Sequence, residues 1–186
     1  GVSTAYVQLR ELLSTFRLTI KEPNLKNAME AMLEQLRAKT DIKIHLDYKL
    51  SPQWLEAKQH IHILQITREA TLNAIKHARA SHINIRCYKD EHGMVNISVS
   101  DDGVGIGHIK ERDQHFGIGI MHERASKLGG TVVFSSNDPQ TSRKGITGQL
   151  EPENPDSPLE PHSTSNLSQG TKVTLIFPSQ QEPTHG

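Results

Sequence analysis

The chain has 186 residues, 34% of them hydrophobic, and its 21 Lys and Arg balance 21 Asp and Glu, which fits one globular domain and not two. A net charge near zero with no long basic run excludes a dedicated nucleic-acid or anionic-membrane binder, and the longest apolar stretches, such as residues 60–66, fall far below the roughly 18 residues of a membrane span. No signal-peptide pattern opens the sequence, and a single cysteine, Cys87, forbids an internal disulfide framework and a cysteine-based zinc site, pointing to a reducing compartment.

In chain order, residues 6–20 predict an amphipathic helix, with Leu9, Leu12, Leu13 and Phe16 at helical spacing and Arg10, Glu11 and Arg17 on the other side. It starts without a cap, which suggests a longer helix whose partner is missing. Pro23 ends it. Asn24 can cap a second helix with the stripe Leu25, Ala28, Met29, Met32, Leu33 and Leu36. The period then changes to two: Ile42, Ile44, Leu46, Tyr48 and Leu50 alternate with polar residues as in a half-buried strand. After Ser51-Pro52 a third helix is expected over 54–78, sending Ile61, Leu64, Leu72 and Ile75 toward a core. Strands at 83–89 and 94–99 form a hairpin around Glu91-His92-Gly93. A loop with Gly103, Gly105 and Gly107 leads to a helix from about Gly117 that stops at Gly129-Gly130, and 131–134 and 171–177 read as the last strands. Residues 136–169 hold five of the nine prolines and few large apolar side chains, too few to offset the entropy of ordering them. They read as a mobile insertion in a domain spanning 21–178, with a tail at 179–186.

Three clusters could carry chemistry. On the third helix Glu69, Asn73, Lys76 and His77 stand at i, i+4, i+7 and i+8 and project from one face. By itself this fits a solvated face, yet a carboxylate beside an amide is also an oxygen-ligand pair suited to magnesium. Second, Asp101-Asp102-Gly103-Val104-Gly105 follows an apolar strand. There glycine lets the backbone approach a flat ligand while a carboxylate accepts a hydrogen bond from an exocyclic amine; the alternative is a plain Asp-Gly turn. The spacing Gly-x-Gly-x-Gly is no dinucleotide fingerprint, and the sequence contains no Gly-Lys-Ser/Thr phosphate loop. Third, Gly117-Ile118-Gly119 at a helix start would present unpaired amides to an anion, or serve as a hinge. Gly170-Thr171 precedes the last strand, where a turn is the ordinary explanation.

Taken in order, Glu-x-x-x-Asn-x-x-Lys-His on a helix, Asp-x-Gly-x-Gly after a strand, Gly-x-Gly at a helix start and Gly-Thr before a strand resemble the ATP-binding domain of histidine kinases, within the group that includes gyrase-type, Hsp90-type and MutL-type ATPases. The resemblance covers residues 52–178 apart from the insertion. Residues 61–78, Met121-His122-Glu123-Arg124-Ala125 and Lys127-Leu128-Gly129-Gly130 resemble the subfamily typified by nitrate/nitrite sensors, and residues 9–18 resemble the last helix of its dimerisation region.

The resemblance implies a two-layer α/β sandwich, α+β in class, with helices on one face of a mixed sheet, and transfer of the ATP γ-phosphoryl group to histidine. Asp101 would receive the adenine amino group, with Gly103 and Gly105 keeping the adjoining wall open and Thr171 supporting Asp101. Asn73 would ligate Mg2+. Glu69 would activate or orient a nucleophile, and Lys76 and His77 would lie near phosphate oxygens. Gly117, Ile118 and Gly119 would offer amides to phosphates, and residues 108–116 would form a lid. None of the eleven histidines has the setting of a phosphoacceptor, so the acceptor helix is expected upstream, in a homodimer that passes the phosphate to a response regulator. The chain would be the cytoplasmic part of a bacterial inner-membrane protein. Two other readings remain: a hydrolytic ATPase with Glu69 as general base on water, or a non-catalytic dimer or regulator-docking module. A histidine-rich metal protein is weaker, because His60 and His62 face different directions on a helix.

Overall fold

The computed structural model describes residues 2–104, 111–136 and 170–180. Four α-helices and five strands follow one another as α1 (Val2–Lys21), α2 (Leu25–Arg37), β1 (Lys43–Tyr48), a short 3-10 turn at Pro52–Trp54, α3 (Ala57–His77), β2 (His82–Lys89), β3 (Met94–Asp101), α4 (Glu111–Lys127), β4 (Thr131–Ser136) and β5 (Thr171–Pro178). Gly105, Gly107, all of the expected insertion but Ser136, and residues 181–186 lie outside the described residues.

The sheet runs β1-β2-β3-β5-β4, with β1 and β2 parallel and every other pair antiparallel. It is the mixed sheet expected, and the helices that carry the core pack on one of its faces. The parallel pair requires a crossover, which α3 supplies. Strand alternation fixes the inward face: Leu46, Ile85, Val99, Val173 and Phe134 form one cross-strand row, and Tyr48, Cys87, Ile97, Leu175 and Val132 the next. A third row runs Ile44, Ile83, Asp101, so a carboxylate occupies a place on the core side of the sheet. Cys87 sits inside this layer with its Sγ 3.7 Å from Met29 Sδ, and burial pushes its thiol up to about 12.

Local chemistry sets the helix starts. Asn24 Oδ1 accepts from the Asn27 N–H at 3.2 Å at the head of α2. At the head of α3 the Gln59 side chain accepts from the Glu56 N–H at 2.8 Å. The apolar face of α2 is buried as expected. The buried stripe of α3 differs from the expected one: Ile63, Leu64, Ile66, Ala70 and Ala74 are buried, whereas Leu72 and Ile75 are only half-buried at its margin. Thr67 and Thr71 tolerate burial because their hydroxyls donate to the carbonyls of Ile63 and Thr67.

Two expected boundaries are corrected. The first helix spans Val2–Lys21 rather than 6–20. The last helix begins at Glu111, not near Gly117, so Gly117, Ile118 and Gly119 lie well inside it, where backbone N–H groups are bonded to the carbonyl four residues earlier.

Candidate functional site

The end of β3 gathers the first half of the site. Asp101 is 5% exposed, and its Oδ1 accepts from the N–H of Gly103 at 2.9 Å and of Thr171 at 3.4 Å. Burial pushes this carboxyl above the ordinary value; the two N–H groups draw it back and the neighbouring Asp102 charge adds to the push. Thr171 therefore meets Asp101 through its backbone. A Cβ at Gly103 would overlap the carbonyl oxygen of Ala78, and one at Gly170 would overlap that of Asp101. Glycine is required at both positions because the strand end, the end of α3 and the start of β5 run against one another.

The second half lies on α3. Glu69 and Asn73, one turn apart, both face Gly117 of α4: a Cβ there would overlap Glu69 Oε1 and lie 3.6 Å from Asn73 Nδ2. In this structure Gly117 thus provides close approach of two helices. Burial raises the Glu69 carboxyl, Glu11 of α1 raises it further, and the Lys76 and Arg68 charges oppose both. Lys76 is exposed and His77 half-buried in the last turn of α3. Ile118 packs against the core and Gly119 is open. Beside Gly119 a cleft of 680 Å³ lies between α1, α3 and α4, lined by Glu11, Leu12, Gln65, Glu69 and Glu123 among others.

The two halves are joined by backbone: the Val104 N–H donates to the Ala78 carbonyl at 2.8 Å, so the strand-end carboxylate and the last turn of α3 share one corner. Sequence reasoning singled out Asp101, Gly103, Glu69, Asn73, Lys76 and His77 but passed over Asp102 and His82, which hold that corner. The doublet of acids after an apolar strand was the available signal.

The donor set fits a nucleotide with a hard cation. An ionised carboxylate such as Asp101 carries only hydrogen-bond acceptors, the chemistry an amine edge calls for. Asn73, one turn from Glu69, carries an amide oxygen of the kind a hard cation would take. Among the described residues, no group of three or more His, Cys, Asp and Glu side chains could hold a metal ion unaided, and no helix is long and apolar enough to cross a membrane.

Comparison with known proteins bears on the family and the fold. Residues 58–181 match the family described as histidine kinase-, DNA gyrase B-, and HSP90-like ATPase. The nitrate/nitrite sensor protein NarQ of Escherichia coli K12 is 47% identical over 135 residues, 73% of this chain and 24% of NarQ. NarX, the nitrate/nitrite sensor of the same organism, is 42% identical over 100 residues, 54% of this chain and 17% of NarX. The chain thus spans a quarter or less of the length of these curated relatives. In fold, the blue-light activated histidine kinase EL346 of Erythrobacter litoralis superposes with a TM-score of 0.66 at 16% identity, over 94% of this chain and 49% of that one.

Proposed function

Because the chain belongs to the histidine kinase-, DNA gyrase B- and HSP90-like ATPase family, we propose that it is the catalytic domain of a sensor histidine kinase of the nitrate/nitrite type, moving the γ-phosphoryl group of ATP to a histidine outside these residues. The observation that carries the reading is Asp101: a carboxylate on the core side of the sheet, held by two N–H groups at the corner where β3, α3 and β5 meet.

Asp101 accepts a hydrogen bond from the adenine amino group, and the purine lies along the wall that Gly103 keeps open. From that corner the phosphates extend toward α3. Lys76 and His77 in its last turn lower the repulsion of developing negative charge. Asn73 would hold, through its amide oxygen, the Mg2+ that accompanies ATP, and that ion would supply further charge neutralisation. In the transfer the bond between the γ-phosphorus and the β–γ bridging oxygen breaks, ADP leaves with that electron pair, and a P–N bond forms to an imidazole nitrogen whose ring gives up a proton. Glu69, with its carboxyl raised by burial, is suited to orient that imidazole or accept the proton. A contribution of the Gly117, Ile118 and Gly119 amides to phosphate binding requires residues 111–116 to leave the helix they form here.

The surface of α1 supports its reading as the last helix of a dimerisation region. Tyr6, Leu9, Leu13, Phe16 and Ile20 recur at intervals of three and four and stay exposed, Tyr6 at 65% and Ile20 at 66%, the pattern of a coiled-coil seam. A homodimer built on that seam, a membrane anchor elsewhere in the protein, a cytoplasmic position for these residues and a response regulator as the final acceptor complete the proposal.

Calorimetric titration with ATP, ADP and GTP, with and without Mg2+, tests it. Adenine-selective binding is expected, and Asp101→Asn should weaken it by about 1–3 kcal/mol, the scale of a buried hydrogen-bond mismatch. Unchanged affinity in that variant sinks the reading. Rapid steady-state hydrolysis, lost in Glu69→Ala, would instead favour a hydrolytic ATPase.

A further inference from the structure

We propose that Asp102 is a positioning residue for nucleotide binding: its carboxylate ties the end of β3, which bears Asp101, to the turn that follows the phosphate-side helix α3. The proposal rests on the reading of Asp101 as the adenine acceptor.

Asp102 Oδ1 accepts from the N–H of Ser81 at 2.7 Å and of His82 at 3.0 Å, and its Oδ2 stands 3.1 Å from His82 Nδ1. The Asp102 N–H donates to the His82 carbonyl at 3.3 Å. Hydrogen bonds to an ionised acceptor are the stronger kind. Those of Asp102 overcome what burial does to its carboxyl and hold it below the ordinary value. The turn it grips needs holding. Arg79 leaves α3 with φ 49, the one described non-glycine residue in the left-handed region, a conformation unfavourable for a side chain with a Cβ. Beyond that turn, β2 pairs with β3 and with β1. Before it lie Asn73, Lys76 and His77. Asp102 therefore fixes where the last turn of α3 sits relative to the Asp101 carboxylate, while the Val104 to Ala78 bond and the close contact at Gly103 carry the same junction on its other side.

An internal control exists at the far end of the same hairpin. Asp90 Oδ1 accepts from the N–H of His92 at 2.9 Å and of Met94 at 3.0 Å, and its Oδ2 accepts from Asn96 Nδ2 at 2.8 Å. It is a carboxylate with a like set of bonds and no candidate site residue beside it.

The experiment measures ATP affinity by calorimetry and unfolding by circular dichroism in the full chain with Mg2+. Asp102→Ala is expected to weaken ATP binding about tenfold at a temperature where the fold is intact. Asp102→Asn keeps an oxygen for both N–H groups and should stay within about threefold of wild type. Asp90→Ala should lower the melting temperature about as much as Asp102→Ala and leave affinity unchanged. If Asp102→Ala does not fold, Asp102→Ser, which retains one acceptor, is expected between the other two. Wild-type affinity in the Ala or Ser variant, or an equal loss in Asp90→Ala, overturns the positioning role alone. Unchanged ATP affinity in Asp101→Asn, or no ATP binding by the wild type, overturns the nucleotide reading beneath it.

Discussion

Helices α1 and α2 are neighbours in sequence, each with an apolar stripe at helical spacing, yet they use it in opposite ways. The stripe of α2 is sealed against β1 and α3, with Leu33 and Met29 at 0% exposure. Most of the α1 stripe faces outward; the helix sits on α2 and α3 through half-buried Leu12 and Leu18, buried Thr15, and Glu11, whose Oε1 lies 4.0 Å from Arg68 Nη2. Arg68 is only 12% exposed in its side chain, and its Nε has no hydrogen-bond partner among the described residues. Apolar burial thus holds α2 in the domain, while α1 rests on a thinner, more polar seat and keeps its hydrophobic face for something else.

Four measurements would break or sharpen that contrast. Leu33→Ala should remove about 2–5 kcal/mol of stability in urea unfolding, because the site is enclosed on all sides; a loss below that range would mean α2 is no better seated than α1. Asn24→Ala should lower the same stability by about 1 kcal/mol through loss of the α2 cap, read as a shift of the urea midpoint. The polar seat of α1 responds to pH instead. Glu69 has a carboxyl raised above 4.5 by burial and by Glu11, so its charged form is disfavoured in the folded state. Its stabilising contribution is complete below the unfolded value and disappears as pH rises through the folded one. Glu69→Gln should therefore raise the melting temperature modestly at neutral pH, with the gain vanishing as pH falls below 4.5 in scans across that range. The smallest change in stability belongs to Leu13→Ser on the open face, expected within about 0.5 kcal/mol of wild type. Sedimentation of the same variant should show weaker self-association, and undiminished association would remove the seam from the dimer.

Much of the architecture was legible because β1, β2 and β3 alternate apolar with polar residues and turns punctuate the chain. Ile83, Ile85 and Cys87 turn inward as the period of two requires. The Asp101 and Glu69–Asn73 clusters stood out because acids and an amide interrupt apolar periodicity. The start of α4 was misjudged because Gly117 and Gly119 are poor helix formers that read as a boundary. In the fold Gly117 lets α4 press against Glu69, and that contact overrides local propensity.

Sequence alone determined the repeating pattern of each element, the residues that prefer to leave water, and the order of the chemically able side chains, since all three are local properties. Only tertiary structure decided which stripe would be covered, which two turns Asp102 would tie, and how Asp101 came to face the core beside the end of α3. Those outcomes depend on partners distant in the chain, and no window of neighbouring residues contains them.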